Sequence, residues 1–163
     1  MQDTSTQLPV RGNDAIEILM NDHEVIKTLL SGLVEATAAT SRQRALEQLK
    51  AALVVHNATE ENLVYPALRT IARKKLQAET LYHETAEADV IVFELDTMLK
   101  DGDGGAFATK ASKLQKAVLA HIEEEESMAF PQLQKKADPE HAEALTEAIR
   151  NFREAFRFEP AGS

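Results

Sequence analysis

One pattern occurs twice in this chain. His56-Asn57-Ala58-Thr59-Glu60-Glu61-Asn62-Leu63-Val64-Tyr65-Pro66 and His121-Ile122-Glu123-Glu124-Glu125-Glu126-Ser127-Met128-Ala129-Phe130-Pro131 each place Glu at +4 from His, an aromatic ring at +9 and Pro at +10. The two segments are offset by 65 residues. Two more histidines, His23 and His83, precede them by 33 and 38 residues. A helix sets i and i+4 on one face, so each segment presents an imidazole beside a carboxylate. The chain reads as one His…HxxxE unit written twice, which points to a duplicated helical hairpin.

Composition agrees with helix. Ala, Leu, Glu, Lys and Gln dominate, while there are only 6 Gly and 5 Pro in 163 residues. This length suits a single domain with a substantial core. The net charge of -9 argues against nucleic acid and anionic membranes as partners. No apolar run approaches the roughly 20 residues of a spanning helix. The segment from Met1 to Asn13 is polar and lacks the apolar stretch of a secretory signal, so it is expected to persist as a loose arm. With no cysteine, the chain forms no disulfide and holds no thiolate-bound metal or iron–sulfur cluster. A cytoplasmic setting is the default expectation.

Apolar spacing predicts five helices. The first runs from a cap at Asn13 to about Ala38, with Ile16, Leu19, Met20, Ile26, Leu30 and Leu33 on its stripe and His23 among them. The second starts after Ser41 and carries Leu46, Leu49, Leu53, His56, Glu60 and Leu63, with Pro66 ending or kinking it. The third spans about Lys74 to Lys100, with Leu76, His83, Val90 and Phe93 on one face, and breaks at Asp101-Gly102-Asp103-Gly104-Gly105. The fourth covers about Phe107 to Lys136, with Leu114, Val118, His121, Glu125 and Met128 in register and Pro131 near its end. The fifth opens with Asp138-Pro139, bears Leu145, Ile149, Phe152 and Phe156, and frays at Pro160.

The expected fold is all-α, an antiparallel up-down-up-down four-helix bundle made of two helical hairpins, with a short extra C-terminal helix. The corresponding division is an arm at 1–12, the bundle at 13–136, a helix packed on it at 137–157 and a frayed tail at 158–163. The stripe of the fifth helix is expected to fold back on its own bundle, which favours a monomer over a homodimer.

His23, His56, Glu60, His83, His121 and Glu125 occupy positions where the pattern calls for Leu, on all four bundle helices. Burying six ionisable groups is costly unless they pair or bind cations. Neutral imidazoles and carboxylates are suitable donors for a pair of metal ions. Glu61, Glu123, Glu124 and Glu126 read as surface residues, as does His141. Tyr65 and Phe130 read as walls, because nine residues of regular helix would not aim them at the site unless the helix bends; Tyr65 as a ligating or redox-active phenol is the lesser alternative.

This pattern resembles the hemerythrin-like family, also called HHE cation-binding domains, over roughly residues 13 to 136. The resemblance implies a four-helix bundle around two iron ions bridged by two carboxylates and an oxo or hydroxo group. His23 and His56 would cap one iron and His83 and His121 the other, with Glu60 and Glu125 as bridges. Manganese or zinc fits less well. Oxygen-carrying hemerythrins have a HxxxH pair on the third helix, whereas here His83 is followed at +4 by Glu87. Either Glu87 is a terminal ligand or an ordinary surface residue, the position then falling to water or an exogenous ligand. An extra carboxylate or an open position favours the ferric state and peroxide or nitric oxide chemistry.

The function expected on this basis is binding or turnover of a small oxidant, O2, H2O2 or NO, with peroxide decomposition as the first candidate reaction. The rival is a non-catalytic O2 or iron sensor, or a reversible O2 carrier. Iron–sulfur repair, performed by relatives with a cysteine-bearing segment, fits poorly in a chain without Cys.

Overall fold

The computed structural model describes residues 8–158 of the chain. Its elements are all helical: α1 (Ala15–Glu35), α2 (Ala39–Thr59), a π turn π1 (Glu60–Val64), α3 (Tyr65–Thr70), α4 (Lys75–Asp101), α5 (Phe107–Glu124), a second π turn π2 (Glu125–Ala129), α6 (Phe130–Lys136) and α7 (Pro139–Phe158). α2, π1 and α3 form one continuous rod, as do α5, π2 and α6. With α1 and α4 they make an antiparallel four-rod bundle in which α1 neighbours α2, α2 neighbours α4, α4 neighbours α5 and α5 neighbours α1. Among the described residues, no helix is long and apolar enough to cross a membrane.

Local chemistry sets the ends. Asp14, one residue beyond the expected cap, accepts the Glu17 N–H, and the Glu17 carboxylate accepts the Asn13 N–H in return. Gly102 stops α4 with a φ of 72°, a left-handed conformation that glycine adopts without strain. Asp138 caps α7 by accepting the His141 N–H, with Pro139 at the first helical position.

Neither Pro66 nor Pro131 ends its rod. Each sits just after a π turn, where the N–H of the preceding aromatic residue, Tyr65 or Phe130, reaches back five residues to Glu60 or Glu125. A proline in a regular helix lacks the N–H for its i−4 carbonyl and clashes with it. The wider turn relieves both problems and lets the rod continue.

The core is split. One apolar cluster contains Ile26, Leu30, Leu49, Leu53, Ala88, Leu95, Leu114, Val118 and Ile122. The other contains Ile18, Leu19, Val64, Tyr65, Ala78, Leu81, Ala129, Phe130 and Ile149. Along every rod the divide falls at one level, between Leu19 and Ile26, Leu53 and Val64, Leu81 and Ala88, and Ile122 and Ala129. Polar side chains fill that level.

Several sequence expectations need correction: Met20, placed on the stripe of the first helix, is 42% exposed, and α2 begins at Ala39 rather than after Ser41. The buried face of α4 is Ala78, Leu81, Thr85, Ala88, Ile91 and Leu95. The face assigned to the core, Leu76, His83, Val90 and Phe93, points outward, with Phe93 71% exposed. His83 and Thr85 are two residues apart, hence about 200° apart around the helix, so choosing His83 selected the wrong stripe. Met128, inside the π2 turn, is likewise exposed. The arm is not loose from Leu8 onward: Leu8 is buried, the Arg11 carbonyl accepts from Asn21 and the Gly12 carbonyl from Arg150. Residues 1–7 and 159–163 lie outside the described residues.

α7 packs on α1 and α2 with Ile149 fully buried and Leu145, Phe152 and Phe156 partly so. Its apolar stripe does fold back on the bundle. The two faces of α4 make a stability test. Leu81→Ala should cost about 2–5 kcal/mol, whereas Phe93→Ala or His83→Ala should change stability by less than about 0.5 kcal/mol. Denaturant midpoints of the three variants check the assignment, and a large loss for Phe93→Ala would reverse it.

Candidate metal centre

The polar level is built from five rods and turns. α1 supplies His23, the end of α2 supplies His56, and π1 begins with Glu60. α5 supplies His121 and π2 begins with Glu125. His23, His56, Glu60 and Glu125 are buried, and each offers a ligand atom within 4.8 Å of the others. His121 is 12% exposed and its Nε2 lies 2.7 Å from Glu125 Oε1. His56 Nε2 lies 2.8 Å from Glu60 Oε1.

All three imidazoles are held the same way. His23 Nδ1 bonds Glu126 at 2.8 Å, His56 Nδ1 bonds Asp22 at 2.9 Å, and His121 Nδ1 bonds Glu84 at 2.7 Å. An ionised carboxylate only accepts, so each Nδ1 carries a proton, and each Nε2 faces inward, where it offers a lone pair whenever the ring is neutral. A carboxylate behind an imidazole fixes its tautomer and raises its basicity, the usual support of a metal-ligating histidine. Two of these three anchors, Asp22 and Glu84, passed unremarked in the sequence, and Glu126 was read as surface. Their signal was available: Asp22 lies beside His23 on an apolar stripe, and Glu84 and Glu126 are each one residue from a residue assigned to the site.

Inside the cluster, acceptors outnumber donors. His23 Nε2, Glu60 Oε2 and both Glu125 oxygens are buried without a hydrogen-bond partner among the described residues. Native interiors rarely leave such groups unsatisfied, and a bound cation satisfies all of them at once. The donor set therefore fits a metal.

The charges point the same way. Burial, then the neighbouring Glu60 charge, pushes the Glu125 carboxyl well above its usual range. Burial also raises Glu60, but the adjacent His56 charge outweighs it and holds Glu60 below its ordinary value. For His56, burial is outweighed by the charge of Glu60 and the bond to Asp22, raising the ring to about 9. Burial and the nearby His56 lower His23 to about 4, so it is a neutral donor at physiological pH.

Tyr65 departs from the expected packing role. Five residues of regular helix would turn it about 140° from Glu60, but the π turn brings it back. Its hydroxyl donates to His121 Nε2 at 3.0 Å and lies 3.4 Å from Glu60 Oε1. Burial, then the charges of Glu60 and Glu125, raise its pKa well above the free value. Phe130, the matching residue of the second half, stacks on the His23 ring with centroids 5.7 Å apart.

His83 and Glu87 are not brought to the centre. They pair with each other on the outer face of α4 at 3.1 Å, with side chains 75% and 64% exposed. At the polar level α4 presents Thr85, which is buried, and Glu84. His141 is exposed and contacts Asp138.

Beside the cluster lies a cavity of about 20 Å³, lined by His56, His121, Glu84 and Thr85 on one side and by Ile26, Leu53, Val118 and Ile122 on the other. That is room for a molecule about the size of water.

Comparison with known proteins fits this geometry. A solved structure of a hemerythrin HHE cation-binding domain-containing protein from Mycobacterium kansasii superimposes with a TM-score of 0.73 and 24% sequence identity, covering 90% of this chain and 88% of that one. No curated protein matches. The family model described as the hemerythrin HHE cation-binding domain matches residues 14–133. This chain belongs to the hemerythrin HHE cation-binding domain family.

Proposed function

We propose that the protein is a non-haem di-iron protein that binds or turns over a small oxidant, O2, H2O2 or NO. The observation that carries the reading is the buried His23 Nε2, Glu60 Oε2 and both Glu125 oxygens, which have no hydrogen-bond partner among the described residues. Nitrogen and oxygen donors without sulfur suit iron, with manganese or zinc less favoured. His23 and His56 would hold one ion, and His121 with Tyr65 the other, while Glu60 and Glu125 serve both. Tyr65 thus takes the place that the sequence assigned to His83 or Glu87.

When bound, the metal pair supplies Lewis acidity and one- or two-electron redox capacity. The chain supplies the rest. Asp22, Glu126 and Glu84 hold the imidazoles in one tautomer. The small cavity beside the cluster suits a ligand not much larger than water. Glu84, partly open to water at 31% exposure, gives His121 a link to solvent.

Purified protein should contain about two iron ions per chain. Glu60→Ala and His56→Ala should lose metal and stability together, whereas His83→Ala and His141→Ala should keep the full complement. Elemental analysis decides, and a metal-free Glu60→Ala beside an equally depleted His83→Ala would undo the ligand assignment.

Metal and proton compete for the same atoms, which gives a pH signature. His56 is raised from 6.5 to about 9 in the fold, so its proton stabilises the stripped protein fully below pH 6.5 and is lost as pH rises through 9. That is up to about 3 kcal/mol. Glu125, also raised, acts in the same direction, starting from the lower pH of a free carboxyl. His23 is lowered, so its contribution is already complete above pH 6.5 and does not oppose the trend. The stripped protein should therefore melt at lower temperature at pH 9 than at pH 6.5. The metal-loaded protein should not, because a cation replaces the protons. Equal slopes for the two forms, followed by calorimetry, would contradict this.

Turnover and carriage separate on mixing the reduced protein with O2 or peroxide. The enzyme reading expects rapid reoxidation and continued peroxide consumption. A long-lived visible absorption band without consumption would instead favour the carrier or sensor.

A further inference from the structure

The C-terminal helix does more than cover the bundle. Its Arg153 is 2% exposed, and burying a guanidinium is costly unless every donor is matched. Here the match lies on two other helices. Arg153 bonds both oxygens of Asp22 on α1, and its Nε donates to Thr59 Oγ1 on α2 at 2.7 Å. Asp22 in turn accepts from His56 Nδ1. Thr59 is the last residue of α2, its hydroxyl donates to the Val55 carbonyl at 2.7 Å, and the next residue is Glu60, where the π turn begins.

The three imidazole anchors differ in this respect. Glu126 and Glu84 are 25% and 31% exposed, so both reach solvent. Asp22 is fully buried, and among the described residues its carboxylate is set by Arg153 alone besides His56. Arg153 also lies beyond residues 14–133, the part of the chain that matches the family model.

We propose that Arg153 is a positioning residue for the metal centre, locking the Asp22 carboxylate that orients His56 and pinning α2 at Thr59, so that metal retention depends on α7. The proposal rests on the di-metal reading given above. It requires that Arg153 act through Asp22, which separates it from a residue that merely holds α7 in place. Loss of an anchor behind a ligating imidazole typically weakens metal binding 10–100-fold.

The test uses the iron-loaded full-length chain in competition with a chromophoric chelator, with visible absorption recorded alongside. Arg153→Met and Asp22→Asn should each weaken iron binding about 10-fold or more and change the absorption in the same way. The double variant should be no weaker than the worse of the two singles. Arg153→Lys, which keeps the charge but cannot span both partners, should recover part of the affinity. Wild-type affinity and spectrum in folded Arg153→Met, or additive losses in the double variant, would overturn the proposal. If circular dichroism shows Arg153→Met unfolded, Arg153→Lys decides: reduced affinity with a shifted spectrum supports the proposal, and wild-type behaviour overturns it. A wild-type chain that takes up no iron would overturn both this proposal and the di-iron reading, whereas normal uptake with unaffected variants overturns this one alone.

Discussion

Two carboxylates buried side by side at the centre of an apolar bundle are the constraint on which the rest of the structure depends. Glu60 and Glu125 repel one another, are cut off from water, and leave three of their four oxygens without a partner among the described residues. Only positive charge relieves that arrangement. In the stripped protein the relief comes from protons on His56 and on Glu125. A pair of cations would do the same work more completely, because the Nε2 atoms of His23, His56 and His121 are already turned inward by the anchors on Nδ1. Apolar clusters close over this level from both ends and keep competing water out.

The duplicated hairpin is not used symmetrically. Each half places a π turn before its proline, and each π turn begins with the buried glutamate. The aromatic residue that follows then serves different ends. Phe130 packs against His23, where α1 already provides a nitrogen donor. Tyr65 turns its hydroxyl to His121, where α4 provides Thr85 and no imidazole at the polar level. Where the sequence led us to expect an imidazole from α4, the phenol of Tyr65 stands against His121 instead. A centre with one nitrogen-rich end and one end containing a phenol differs in its electronics from an all-imidazole one.

Much of this was legible in the sequence. The HxxxE repeats located His56, Glu60, His121 and Glu125, because an i,i+4 pair on a strong apolar stripe has only one inward face. His23 was legible for the same reason. His83 was not, since α4 carries large apolar residues on its outer face and small ones, Ala78, Thr85 and Ala88, at half of its core positions. A reading that follows bulk picks the wrong side of such a helix. The spacing of Leu81, Ala88, Ile91 and Leu95 marks the true one. Tyr65 was read first as packing because regular helical geometry points it away, and the π turn that redirects it is signalled only indirectly, by a proline inside a rod that must continue. Arg153 was beyond reach, because its partners Asp22 and Thr59 lie 131 and 94 residues away along the chain.

The central claim is that these side chains converge to hold two cations. Anomalous diffraction at the iron edge from crystals of the iron-loaded protein tests it most directly. The account predicts two peaks within the shell formed by His23, His56, Glu60, Tyr65, His121 and Glu125, and none at His83 and Glu87. Ordered water filling that shell in iron-loaded crystals, or iron bound instead on the outer face of α4, would contradict it.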